Sequence, residues 1–204
     1  MTKISPTSLW SKGLFVSFIL SLLLLCIVVS QLLYMQGKAS LAQFFMNKAW
    51  QEEKLQQVTG IKPWPWADMY PVAELELPSL GKSIIVANTD SGQALAFAPG
   101  FNGVSDDKTY IISAHNDTHF KQLDYLKIGD ELKLSLLTNE RLKSRDFIVA
   151  SIDIFDIREG RMLIDKSSGE QQLILITCYP FDTNRRQSTQ RLVITAIKKQ
   201  ELNN

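Results

Sequence analysis

Cys178 is the residue best placed to do chemistry in this 204-residue chain. It lies in QQLILITCYPF, residues 171–181. A run this rich in Ile and Leu reads as a buried strand. Pro180 has no N–H and cannot extend a ladder, so the strand is expected to stop near Cys178. A thiol at a strand's end can face a cleft from a rigid support. The same stretch also accommodates an inert structural cysteine, since free Cys is among the most buried residue types and its surroundings set its reactivity.

A nucleophilic thiol needs a neighbouring base or positive charge. The chain has two histidines, and His115 follows YIISA, at or just past the end of another strand. His119, in DTHFKQL, reads as structural. An attack on an amide also creates an oxyanion, which a guanidinium can meet with two parallel N–H bonds. Arg185, Arg186 and Arg191 are the candidates. Arg191 opens the strand RLVITAI, whereas Arg185 and Arg186 sit in the polar loop DTNRRQSTQ. Rigid elements hold catalytic groups best, which favours Arg191. Thr177 and Ala114, directly before the thiol and the imidazole, complete the expected set as substrate-binding positions.

Other chemistries find little support. Two His and one accessible Cys cannot build a zinc cluster, no calcium-loop spacing occurs, and no glycine-rich phosphate loop is present, so no metal or cofactor is expected. The net charge of +1 gives no electrostatic case for nucleic acid.

The elements that must position these residues follow from the chain in order. Gly13 to Met35 carries no charge over 23 residues, and about 20 apolar residues span a bilayer. It reads as an uncleaved signal anchor. Lys3 and Lys12 before it tilt the positive-inside balance toward a cytoplasmic N-terminus. The expected organisation is a cytoplasmic N-terminus at 1–12, a transmembrane anchor at 13–35, an amphipathic or linker helix at 36–62, and a β domain at 63–204. Cys26, the other cysteine, lies in the anchor, so Cys178 is expected to have no intrachain disulfide partner.

Leu41, Phe44, Phe45, Ala49 and Leu55 recur at helical spacing and predict an apolar face for packing on the domain or lying at the bilayer. Pro63, Pro65 and Pro71 end the helix. Of Trp64 and Trp66, at least one is expected to fold back and bury its ring. Period-two patterning then predicts strands at 72–77, 82–87, 93–97, 108–113, 132–137, 146–155, 173–177 and 191–197, with a loop at 99–107 and a short helical crossover at 118–125. Many short strands separated by turns suggest an all-β sandwich or barrel.

These residues resemble the sortases, the membrane-anchored cysteine transpeptidases. That family's pattern is a strand ending T-L-x-T-C, a His ending an earlier strand, and an Arg opening the strand after the Cys. Leu175-Ile176-Thr177-Cys178 matches L-x-T-C, with Ile174 in place of the first Thr; His115 and Arg191 match the rest. The chain is most similar to the proteobacterial class GN branch, through Lys62-Pro63-Trp64-Pro65-Trp66-Ala67-Asp68, Ala94-Leu95-Ala96-Phe97 with Pro99-Gly100, Asp117-Thr118-His119-Phe120 and Cys178-Tyr179-Pro180-Phe181. Ala114 stands where the branch usually has Gly, and Asn116 where Arg is common.

The resemblance implies an eight-stranded β-barrel with short helical crossovers behind the anchor. It implies a surface protein bearing an LPxTG-like C-terminal sorting signal as substrate, and an unspecified amine as acceptor. Cys178 would be the nucleophile, His115 the general acid and base, and Arg191 the oxyanion stabiliser. The expected location is the inner (cytoplasmic) membrane, single-pass, with the catalytic domain on the extracytoplasmic, periplasmic side. The competing readings are another extracytoplasmic cysteine peptidase and a tethered β-barrel that binds without catalysis.

Overall fold

The computed structural model describes residues 6–105, 108–138, 141–160, 170–181 and 188–200. It contains two compact units, Met1–Ser40 and Leu41–Asn204. The first is helical. Within it, Gly13–Ser30 is long and apolar enough to cross a membrane, with a mean hydropathy of 2.8.

The second unit is built on eight strands: β1 (Pro71–Leu77), β2 (Lys82–Ala87), β3 (Gly100–Ser105), β4 (Thr109–Ser113), β5 (Glu131–Thr138), β6 (Arg141–Asp156), β7 (Gln172–Tyr179) and β8 (Gln190–Lys198). They close into a barrel in the order β1-β2-β3-β4-β7-β8-β6-β5. Strands β4 and β7 run parallel, as do β2 and β3, which share the single pair Ala87 and Gly100; the other neighbours are antiparallel. The long β6 pairs with β5 through its first half and β8 through its second. An irregularity between Val149 and Ser151 falls within the part paired with β8, just past the last residue paired with β5. An extra residue there bends the strand, so one strand serves two neighbours around the curve.

The alternation read from the sequence sets which face is inside. Ala73, Leu75 and Leu77 of β1, Tyr110 and Ile112 of β4, Leu173 and Leu175 of β7 and Leu192, Ile194 and Ala196 of β8 meet in one buried cluster. Successive side chains of a strand point to opposite faces, so the residues between these belong to the outer face.

Helix α1 (Pro6–Gln56) contributes its last four turns to the second unit. Ala42, Met46, Ala49 and Trp50 are buried, and Met46 and Trp50 pack with Met69, Ile85, Ala94 and Ala98 in a second cluster. Each large apolar side chain so buried contributes about 1.5–3 kcal/mol. Of the five residues expected on one apolar face, Ala49 is buried here and Phe45 half-buried, while Leu41, Phe44 and Leu55 are exposed. The Trp50 indole also donates to Glu74 at 2.9 Å, a bond that aims this side of the helix inward. Gln43 completes the join, accepting from the Ile85 amide at 3.2 Å and donating to the carbonyls of Ile85 and Phe97. It thereby satisfies backbone groups of a strand that barely pairs with β3.

Two expectations change near β2. Residues 93–97 are not a strand; Gly92–Leu95 is a helical turn, α2, capped by the Ser91 hydroxyl, which accepts from the Ala94 amide at 3.3 Å. A serine cap and inward-facing Ala94 and Ala98, four apart, outweigh the local alternation. The third strand lies instead at Gly100–Ser105, inside the expected loop. Gly100 is needed there, because a Cβ would sit 2.4 Å from the Asp90 Cα. Trp64 folds back onto Phe97, ring centroids 5.4 Å apart, while Trp66 is 83% exposed.

Helix α1 ends where Gln57 takes a positive φ of 55° and the Val58 amide reaches back to the Glu53 carbonyl at 3.2 Å, a left-handed C-terminal cap. The buried Glu53 side chain accepts from the amides of Gly60 and Ile61, both at 2.7 Å, through Oε1. Its Oε2 is buried with no partner among the described residues. Burial pushes this carboxyl from 4.5 up to about 7, against the pull of the two amide bonds. A raised carboxyl pKa means the folded chain favours the protonated form. That contribution is complete below about pH 4.5 and is lost as pH rises through about 7. Glu53→Gln imitates the protonated form. It is expected to match the wild type at low pH and to exceed it by about 1 kcal/mol, a few degrees of Tm, above neutrality. Parallel pH-dependent melts check this; equal offsets at all pH values would contradict it.

Candidate active site

Cys178 is the seventh residue of β7 and half-buried. The strand runs one residue further, to Tyr179, before Pro180 stops it. Leu173 and Leu175 point inward, so Thr177 shares their face and Cys178 takes the outer one. Across the β7–β8 ladder Cys178 stands directly opposite Arg191, the second residue of β8. Opposed residues place their Cβ atoms about 5 Å apart on one face. On the other side, the parallel ladder pairs Ser113 with Ile176. The ladder ends there; His115 follows two residues past Ser113, and Cys178 two residues past Ile176 on β7. Register thus sets Cys178 against Arg191, and the shared end of the β4–β7 ladder precedes both His115 and Cys178.

Beyond Ser113 two bonds carry this register on. The Ala114 amide donates to the Ile176 carbonyl at 3.2 Å, and the Thr177 hydroxyl donates to the Ala114 carbonyl at 2.7 Å. Thr177 and Ala114, expected as substrate-binding positions, turn their side chains away from the outer face. Both are buried, Thr177 at 2% exposure, on the inner face, and the Thr177 hydroxyl is committed to Ala114. They fasten β4 to β7 beneath the pair.

His115 is exposed, on a turn closed by the Phe120 amide donating to the His115 carbonyl at 3.1 Å. Phe120 and Leu123 anchor that turn in the barrel core, Leu123 on a short 3-10 helix (Lys121–Tyr125) within the expected crossover. His119 lies on the same turn, half-buried. Its Nε2 is buried and has no partner among the described residues. Burial, then the neighbouring His115 charge, lowers its pKa to about 4 against the opposing effect of Asp117. It is thus neutral across the physiological range and supplies no competing charge.

Arg191 is half-buried, and its Nη1 donates to the carbonyls of Ser188 and Gln190, both at 2.9 Å. The segment leading to it is fixed from two sides. The Ser188 hydroxyl donates to the Tyr179 carbonyl on β7, and the Thr189 hydroxyl donates to Asp156 at the end of β6 at 3.1 Å. The Arg158 side chain and backbone amide hold the Asp156 carboxyl well below the usual carboxylate range. Arg185 and Arg186 lie outside the described residues, as do Asp106 and Asp107 of the loop ahead of β4.

Asn116 stands out in the sequence only as a departure from the resembled branch, where Arg is common. Its side-chain amide donates to the Pro180 carbonyl at 2.9 Å, joining the turn that carries His115 to the residue that ends the Cys178 strand. A cavity of about 610 Å³ lined by Lys143, Arg145, Lys198 and Lys199 lies at the far end of β8 from Arg191 and holds none of these groups.

Cys178 and Arg191, paired across two strands, and His115, just past the end of a third, come from the same end of one closed barrel. The chain belongs to the sortase family: a sortase domain model matches residues 75–199. Among solved structures it is similar to sortase C1 of Streptococcus agalactiae, at 20% identity, covering 73% of this chain and 76% of that one with a TM-score of 0.51. It is also similar to sortase C1 of Streptococcus suis, at 18% identity over 65% and 75% of the two chains with a TM-score of 0.51. These likenesses bear on the fold. No curated protein sequence matches the chain.

Thr177→Val keeps the shape but removes the hydroxyl, leaving the buried Ala114 carbonyl without that donor. Denaturant unfolding is expected to show a loss of about 1–2 kcal/mol, while Thr177→Ser loses less than half of that. A Val variant as stable as the wild type would separate this bond from the β4–β7 join.

Proposed function

We propose that the protein is a transpeptidase of the class GN type. It cleaves an LPxTG-like sorting signal near the C-terminus of a surface protein and transfers the cleaved end to an amine. The observation that supports the reading is the register that sets Cys178 opposite Arg191, beside a parallel β4–β7 ladder whose shared end precedes both His115 and Cys178.

In the first half-reaction the Cys178 thiolate attacks the carbonyl carbon of the signal's Thr. The guanidinium of Arg191 meets the resulting oxyanion with its N–H donors. When the tetrahedral intermediate collapses, the C–N bond breaks and protonated His115 gives its proton to the departing amine, leaving a thioester on Sγ. In the second half-reaction an acceptor amine attacks the thioester, neutral His115 takes the amine's proton, and Cys178 leaves as thiolate; water in the same place gives hydrolysis. The outer-face residues Ile111 and Ile176, half-buried beside the pair, offer an apolar floor for the signal's Leu and Pro. The Gly13–Ser30 helix tethers the enzyme to the inner membrane, with the barrel on the periplasmic side.

Because both a thiolate and an imidazolium are required together, the acylation rate is expected to rise and then fall with pH. The direct test incubates the full chain in detergent with LPxTG and LPxTA peptides and weighs the intact protein. The expected result is a mass gain equal to the N-terminal peptide fragment. It is abolished in Cys178→Ala and reduced at least ~100-fold in rate in Arg191→Ala, the effect of losing oxyanion stabilisation. Acylation that persists in Cys178→Ala would remove that residue from the role. No adduct with either peptide, with Cys178 still readily alkylated, would leave a cysteine enzyme of another specificity; no adduct and no alkylation would favour a binding module.

A further inference from the structure

We infer that Asn116 is a positioning residue for the Cys178–His115 pair, an inference that rests on the acyl-transfer reading above. The β4–β7 backbone ladder ends at the Ser113–Ile176 pair, short of both reactive residues. Two side-chain bonds then continue the connection past the strand ends. Thr177 Oγ1 reaches the Ala114 carbonyl from β7 to β4, just before the pair. Asn116 Nδ2 reaches the Pro180 carbonyl from the β4 side to the β7 side, just after it. Cys178 and His115 are thus bracketed by one cross-strand bond on each side, given in opposite directions.

The direction of the second bond is fixed by chemistry. A carbonyl only accepts, so the amide must turn its NH2 toward Pro180. Pro180 in turn has no N–H with which to pair across to the neighbouring strand. Without Asn116, nothing among the described residues joins the turn after His115 to the turn after Cys178 by a hydrogen bond. His115 is exposed and its own ring makes no hydrogen bond among the described residues, so its distance from Cys178 depends on how the two turns are held. The Phe120 anchor fixes the far end of the His115 turn, and the Asn116 bond fixes the near end. Reactivity that depends on a close imidazole falls steeply with misplacement, by as much as a hundredfold per ångström or so.

The test is a double-mutant cycle read by alkylation of Cys178 with iodoacetamide, a reagent that needs no recognition of a sorting signal. It uses the full chain in detergent with Cys26→Ser, so that only Cys178 reports. His115→Ala is expected to slow alkylation at pH 7, since the imidazolium supports the thiolate. Asn116→Leu, similar in shape but lacking the donor, is expected to slow it about tenfold beside an intact His115 and not at all in the His115→Ala background. Asn116→Gln, which keeps the amide on a longer arm, restores at least half of the lost rate. Thermal melts identify any variant that fails to fold, and Asn116→Ala then replaces Asn116→Leu. Equal slowing in both backgrounds, or no slowing beside His115, would overturn the positioning role while leaving the reading of the site intact. If His115→Ala itself has no effect, the Cys–His pairing fails, and this inference falls with it.

Discussion

The parallel pairing of β4 with β7 is the constraint on which the rest depends. Its ladder runs from Thr109 and Gln172 to Ser113 and Ile176, and the same five-residue register fixes both the core and the site. Tyr110 and Ile112 on one strand, and Leu173 and Leu175 on the other, must all enter the barrel interior. A slip of β7 by one residue would turn Leu173 and Leu175 outward and bring Thr177 to the outer face in place of Cys178. Hydrophobic burial inside the barrel therefore also fixes which residues of β7 reach its outer face. The proposed site asks for no dedicated scaffold beyond the sheet itself.

The remaining elements protect that register at its ends, where ladders fray. Phe120 and Leu123 plug the barrel and pull the His115 turn against it. Ser188, Thr189 and Asp156 fasten the start of β8, so that Arg191 meets Cys178 on a fixed strand. Across the barrel, β2 barely pairs with β3, and the end of α1 compensates: Gln43 takes up backbone groups of β2, and Met46 and Trp50 cover its outer face. Glu53 then ties the helix end to the segment that leads into β1. It is a buried carboxyl held by two amides on one oxygen only, which suits the protonated form.

Much of this was legible in the chain. Pro180 announced the end of β7, the YIISA run announced the strand before His115, and RLVITAI announced the strand that Arg191 opens. What escaped the sequence was direction. Thr177 and Ala114 adjoin the reactive residues in sequence, and adjacency suggests a common cleft, yet the pleat sends neighbours to opposite faces and puts both inside. The same limit applied to the helix: Leu41, Phe44 and Leu55 look like its packing face, but the face chosen holds Trp50, whose indole has a hydrogen-bond partner on β1. At residues 93–97 a serine cap overrode an alternating pattern. Asn116 showed only as a departure from the branch's pattern; its bond could not be read, because the partner lies 64 residues away.

The central claim is that His115 and Cys178 form one chemical unit. Long-range nitrogen–proton NMR of the imidazole rings addresses it directly, and the chain has only two histidines to assign. Capping Cys178 with a small neutral alkyl group is predicted to move the ring resonances of His115 and to leave those of the buried His119 largely in place. Unchanged His115 resonances after complete capping would contradict the account.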